Sequence, residues 1–200
     1  FTNSPELLEG RVKTLHPKIH AGILNKRNNK SHKKQMQLNK YENIDLVIVN
    51  FYPFEKTLEK TKNQKKIIEN IDIGGPALVR AAAKNYNDVA VITKVEQYNK
   101  LINELQKNKG STSIEFRQQL SEEAFAETAY YDSIVTNYFA RITKNTFPKR
   151  KLIHGNLIEK LRYGENPHQE AAIYSFNKSL DIIQLHGKKL SYNNYNDLYS

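Results

Sequence analysis

In the stretch IDIGGPALVRAAAKN, residues 71–85, Asp72, Gly74, Gly75 and Lys84 have types and spacing that could do chemistry. A glycine pair lets the backbone approach a ligand closely and adopt positive φ. Pro76 suits the first position of a helix, because the N–H it lacks would have been unpaired there. The N–H groups left at such a helix mouth favour an anion or a developing negative charge. No Gly-Lys-Ser/Thr follows, so the turn is not a P-loop. Gly-Gly-Pro is also what ordinary tight turns use. Lys84 stands eight residues after Pro76, roughly two turns along. It could fold back over the mouth or face solvent, and spacing alone favours solvent.

Two further stretches carry candidate groups. VNFYPF, 49–54, follows an apolar run directly, which would project Asn50 and Tyr52 into a crevice. Pro53 fixes the exit of that strand; Phe51 and Phe54 suit the core, and Tyr52 stays open between the two roles. EGRVKTLHPKIHAGIL, 9–24, sets Arg11 and Lys13 on one side of a possible strand, with Thr14 adjacent. A planar guanidinium fork beside an ammonium point charge is an anion clamp. His16 and His20 are four apart, a metal-pair spacing on a helix. Pro17 opposes a regular helix through both, and no nearby carboxylate or cysteine completes a site. No metal is expected.

Composition narrows the class. The chain has 200 residues and a net charge of +10, with 31 Lys and Arg against 21 Asp and Glu. Its mean hydropathy is -0.70, polar but with apolar runs that can pack. The lysines are spread along the chain and do not interleave with aromatics as a base-stacking surface requires. Nucleic acid is therefore not the expected partner; an anionic small substrate is. No cysteine is present, which fits a reducing cytoplasm and leaves no disulfide framework. No run approaches the ~20 apolar residues of a membrane span, so no membrane is expected. The opening, FTNSPELLEG, reads as the middle of a longer protein.

The elements that must position these groups alternate. Residues 44–50 and 88–93 read as strands buried on both faces. A polar helix is predicted over 56–70, and another from Pro76. A third, over 95–108, would bury Tyr98, Leu101, Ile102 and Leu105 and stop at Gly110. TSIE, 112–115, reads as a capping box with Thr112 as N-cap and Glu115 at the third position. The long helix it opens carries Phe116, Leu120, Ala124, Tyr131, Ile134 and Tyr138 on one stripe. Strands alternating with helices predict an α/β fold with a doubly wound, mostly parallel sheet. Residues 141–160 read as a linker, and 161–200 as the start of a second, truncated domain.

Five motifs occur in order: GRVKTLHPKIHAGIL, VNFYPFEKT, ENIDIGGPALVRAAAKN, AFAETAYYDSIVTNYF and RYGENPHQEAAIY. Together they closely resemble the bifunctional purine-biosynthesis family that joins IMP cyclohydrolase to AICAR formyltransferase. The resemblance implies a methylglyoxal-synthase-like cyclohydrolase domain over 1–140, lacking its N-terminal strands, and the opening of an α/β formyltransferase domain from 161. It implies ring closure of formyl-AICAR (FAICAR) to IMP with loss of water, and formyl transfer to AICAR in the complete protein. No cofactor is implied for the cyclohydrolase; 10-formyltetrahydrofolate would be the co-substrate of the transferase. A cytoplasmic homodimer is implied.

The same resemblance assigns residues. Lys13, Tyr52, Asp72 and Lys84 fall on the family's catalytic positions, which moves Lys84 from solvent to catalyst. Arg11, Thr14, Asn50, Ile73 and Gly74 fall on substrate contacts. Arg162, Tyr163, His168 and Asn194 fall near the AICAR pocket of the second domain, although SYNNYND equally suits a polar turn entering a helix. The chain departs from the family at Glu127, where His is common. The family's serine- and lysine-containing phosphate loop is also absent. This piece is therefore expected to be inactive alone and to expose a sheet edge. The competing reading is a methylglyoxal-synthase-like regulatory module that binds nucleotide without chemistry.

Overall fold

The computed structural model describes residues 2, 4, 5, 7, 8, 11, 12, 14–176, 179, 180 and 182–199. The chain forms two units, Phe1–Asn145 and Thr146–Ser200. In the first, β1 (Leu46–Ile48) and β2 (Ala90–Ile92) pair in parallel, with Val47 opposite Val91. Their connection carries α3 (Phe54–Lys60), α4 (Gln64–Glu69) and α5 (Gly74–Lys84). Ahead of β1 lie α1 (Pro17–Leu24) and α2 (Lys30–Leu38). After β2 come a 3-10 turn (Val95–Gln97), α6 (Tyr98–Lys107) and α7 (Ile114–Ile142). The parallel pairing with helical crossovers is the α/β arrangement that the alternation predicts.

α5 organises this unit. It packs on both strands and against α1 and α7. Val79 and Ala81, Ala82 and Ala83 are buried there, and alanine's single methyl lets the helix lie close to the sheet. They join Ile23, Val47, Val89, the whole of β2, Leu101, Leu120 and Ala124 in one core. A second cluster forms around Phe54, Ile67, Tyr131 and Tyr138, with Phe51 packed on both. α7 supplies residues to each cluster, so its apolar stripe ties them together. The rings of Phe51 and Phe54 meet Tyr131 edge-on, at 5.2 and 6.2 Å.

Several expectations need correcting. β1 is not buried on both faces: Val47 is, but Leu46 and Ile48 point the other way, where Ile48 lines a cleft. The helix over 56–70 is two helices. Thr61 Oγ1 accepts from the Asn63 N–H, and Asn63 caps α4 by accepting from the Lys66 N–H. α7 is capped by Ser113 rather than Thr112, and the reciprocal carboxylate is Glu104 of α6 rather than Glu115. Glu104 accepts the Ser113 N–H and O–H at 2.8 and 2.6 Å. Ile102 stays half exposed while Leu101 is buried.

Residues 9–14 form no strand among the described positions; Leu7 and Val12 make a single antiparallel bridge. Pro17 instead opens α1, and His16 is its N-cap, with Nδ1 accepting from the Lys18 N–H at 3.0 Å. His16 and His20 therefore do not share a helical face.

In the second unit β3 (Asn156–Lys160) and β4 (Ala172–Ser175) pair antiparallel, followed by α8 (Tyr192–Tyr199). The stretch read as a linker thus contains the end of α7 and all of β3. Among the described residues no helix is long and apolar enough to cross a membrane.

Candidate active site

Parallel sheets leave ligand crevices at the carboxyl ends of their strands. Such a cleft, of about 660 Å³, opens where β1 ends and α5 begins. Arg11, Thr14, Asn50, Tyr52, Asp72, Ile73 and Gly74 all line it. Seven of the residues singled out in the sequence, scattered over more than sixty positions, therefore share one wall. Lys13 lies outside the described residues. Tyr52 is 54% exposed and faces solvent, whereas Phe54 is fully buried and Phe51 half buried, which settles the choice among the three aromatics. Asn50 Nδ2 reaches the Tyr98 hydroxyl at 3.4 Å. Arg11 pairs with Glu69 at the rim, 3.5 Å away, with both side chains largely exposed.

Asp72 is the most constrained group of the cleft. Its Oδ1 accepts from the Gly75 N–H at 2.8 Å, and its Oδ2 accepts from the Tyr52 N–H at 3.3 Å. Its own N–H donates to the Tyr131 hydroxyl at 2.8 Å, and that hydroxyl donates to the Asn70 carbonyl at 3.3 Å. The carboxylate is thus fixed between the β1 exit and the α5 entry.

This changes the account of the glycine turn. Neither Gly74 nor Gly75 has positive φ. α5 starts at Gly74, so Pro76 is its third residue and not its first. The close approach is real, but the neighbours are the protein's own. A Cβ on Gly75 would stand 2.4 Å from Asp72 Oδ2, and one on Gly74 2.4 Å from Thr14 Oγ1. The anion at the helix mouth is the Asp72 carboxylate itself, with Gly75 its donor and Pro76 offering no N–H.

Lys84 sits in the last turn of α5 and is exposed. Ten residues at a helical rise of about 1.5 Å place it roughly 15 Å along the axis from Gly74. It lines a second groove of about 820 Å³, which shares Asp72 and Ile73 with the first and also holds Arg80 and His20. Lys84 thus adjoins the Tyr52 cleft without lining it. Glu127, the departure from the family, pairs with Lys94 at 2.7 Å, just past the end of β2. Beside it, buried Gln97 accepts the N–H groups of Thr93 and Lys94 and donates to Glu123 at 2.5 Å.

In the second unit Arg162 and His168 line one shallow cleft of about 390 Å³. Arg162 also donates to the Tyr163 hydroxyl at 3.1 Å and stacks its guanidinium 4.8 Å from that ring. Asn194 Oδ1 accepts both the N–H and the O–H of Ser191, so in this structure it serves the polar turn that enters α8.

Tyr131 is the functional candidate that sequence reasoning missed. It stood on the apolar stripe of α7 and read as core; the available signal was that a buried tyrosine needs a partner for its O–H. Burial pushes its hydroxyl above the ordinary tyrosine pKa, a shift partly offset by the Asp72 N–H and reinforced by the charges of Asp72 and Asp132.

Parallel strands crossed by packed helices, with a polar cleft at the strand ends, define an α/β domain of the methylglyoxal-synthase type, and the MGS-like domain family matches residues 1–77. The match continues beyond that domain. The AICARFT/IMPCHase bienzyme family covers residues 82–200, and the chain belongs to this family. Relatives agree. The bifunctional purine biosynthesis protein PurH of Bradyrhizobium diazoefficiens is 48% identical over 201 residues, 98% of this chain. That of Prochlorococcus marinus is 50% identical over 202 residues, 100% of this chain. The chain spans 38% of the length of each. The crystal structure of ForH superposes with a TM-score of 0.56 at 33% identity, over 68% of this chain and 71% of that one.

Proposed function

We propose that the first unit carries the ring-closing site of a bifunctional purine-biosynthesis enzyme, converting FAICAR to IMP with loss of water. The observation that carries this reading is the Asp72 carboxylate, held by the Gly75 and Tyr52 N–H groups in a cleft that Asn50, Tyr52, Arg11 and Thr14 also line.

In this reaction the carboxamide nitrogen attacks the formyl carbon, and the formyl oxygen becomes an oxyanion, then a hydroxyl that leaves as water. Protons must leave nitrogen and reach the departing oxygen. Asp72 manages these transfers within the cleft, and Lys84, in the adjoining groove that Asp72 also lines, is the second proton-handling group that the family resemblance assigns. Such positioned proton transfer contributes about 10²–10⁴ in rate. Tyr52 and Lys13 stabilise the developing oxyanion, a contribution on the order of 3–4 kcal/mol per donor. Arg11 and Thr14 hold the nucleotide, with Asn50, Ile73 and Gly74 against the base. Arg11 exchanges its exposed Glu69 partner for the substrate anion; a rim pair of this kind is worth little and yields readily.

The rest of the reading concerns the longer protein. Arg162, Tyr163, His168 and Asn194 contribute to an AICAR site, with 10-formyltetrahydrofolate as formyl donor; the ring closure needs no cofactor. FAICAR, AICAR and IMP are the ligands. The family resemblance further implies a cytoplasmic homodimer.

Asp72→Asn in the full-length protein tests the site. FAICAR conversion, followed by its absorbance change, is expected to fall at least about 10²-fold while nucleotide binding stays measurable. Parental turnover in the variant contradicts the assignment. Failure of the unmodified protein to convert FAICAR while still binding it would favour a regulatory nucleotide-binding module.

A further inference from the structure

We propose that Tyr131 is a positioning residue for Asp72, acting from α7 across the second core cluster. The inference rests on the ring-closing role of Asp72 proposed above. One phenol spans the turn that leads into α5: it accepts the Asp72 N–H at 2.8 Å and donates to the Asn70 carbonyl at 3.3 Å. Two residues of one turn are thereby tied to a helix about sixty positions later. The phenol itself has little freedom. It is 7% exposed, and its ring packs edge-on against Phe51 and Phe54, which flank Tyr52 in the chain. Tyr131 therefore braces both sides of the cleft, the turn that carries Asp72 through its hydroxyl and the segment that carries Tyr52 through its ring. Because burial favours the neutral hydroxyl, it keeps the proton that it donates to Asn70. The carboxylate's two bonds, to Gly75 and Tyr52, depend on where this turn places the Asp72 backbone.

The test uses the full-length enzyme. Tyr131→Phe keeps the ring packing and removes both hydrogen bonds. The expected result is a fall in kcat on the order of tenfold, within the ~10²-fold that a displacement of about 1 Å costs. KM should change less than about twofold, the pattern of an interaction used in the transition state. Tyr138→Phe, on the same helix and cluster, controls for general loss of packing and should leave kcat unchanged. Parental kcat in Tyr131→Phe, or an equal loss in Tyr138→Phe, overturns the positioning role. If Asp72→Asn itself retains parental turnover, the ring-closing assignment fails and this inference with it, an outcome distinct from failure at Tyr131 alone. Should Tyr131→Phe not fold, amide exchange in the unmodified enzyme decides. The Asp72 N–H is expected to be protected; exchange at the rate of an open loop amide overturns the inference.

Discussion

At the scale of single residues, the glycine pair before α5 is explained by what surrounds it. A methyl at position 75 would meet Asp72 Oδ2, Cγ and Oδ1 at 2.4, 2.9 and 3.0 Å, so the whole carboxylate would have to move. At position 74 the close neighbour is the Thr14 hydroxyl, whose Cβ is 3.8 Å away, so rotation of that side chain relieves the clash. Gly75→Ala is therefore expected to cost about 1–3 kcal/mol of stability, as overpacking does, and most of the proposed ring-closing activity. Gly74→Ala should cost less of both. Thermal denaturation together with FAICAR turnover measures the pair, and equal tolerance of both substitutions would contradict the contact geometry. The sequence made these glycines conspicuous but could not say why they were needed. Positive φ and close approach to a ligand are the usual reasons; here the backbone is helical and the neighbours are Asp72 and Thr14. Tyr52 was legible because it lies between two aromatics that the core takes. Tyr131 was not, because α7 periodicity reports which face is buried and nothing about where a hydroxyl ends.

At the scale of elements, helix existence followed from pattern and helix ends followed from tertiary contacts. α7 was legible from its stripe, yet its cap lies one residue later than TSIE suggests because Glu104 arrives from α6 to take the Ser113 N–H and O–H. Those two donors hold the Glu104 carboxyl below its ordinary pKa. A depressed carboxyl contributes stability that is present above its unfolded pKa and lost as pH falls through the folded one. Glu104→Gln is thus expected to lower stability at neutral pH and to flatten the acid side of the profile, the variant and the parent converging below about pH 4. An unchanged acid limb in denaturant titrations would contradict this. Tyr131 has the opposite sign: its raised pKa contributes stability that is intact below about pH 10 and lost as pH rises further. Tyr131→Phe should soften that alkaline loss. The break between α3 and α4 was invisible to a periodicity over 56–70, because Thr61 and Asn63 form a local turn and cap that compete with helix continuation.

At the scale of the whole molecule, the two family matches meet inside α5, between residues 77 and 82, whereas the structural units divide after Asn145. The core explains the difference: α5 and α7 share one apolar cluster, so no unit boundary can fall between them. Beyond Ile142 no helix or strand begins until Asn156, and Lys149, Arg150 and Lys151 are exposed in that interval. Limited trypsin digestion of the full-length protein is expected to cut there early; early cuts inside α7 would contradict the division. The candidate site belongs to the first unit alone, and its geometry brings together Arg11 and Thr14, Asn50 and Tyr52, and residues 72–75 at the carboxyl end of β1. The most direct measurement is a crystal structure of the full-length protein with IMP bound. The expected result is the purine in this cleft, with the Asp72 carboxylate within about 2.6–3.2 Å of a ring atom and Arg11 released from Glu69. IMP bound elsewhere, with Asp72 still directed only at Gly75 and Tyr52, would contradict it.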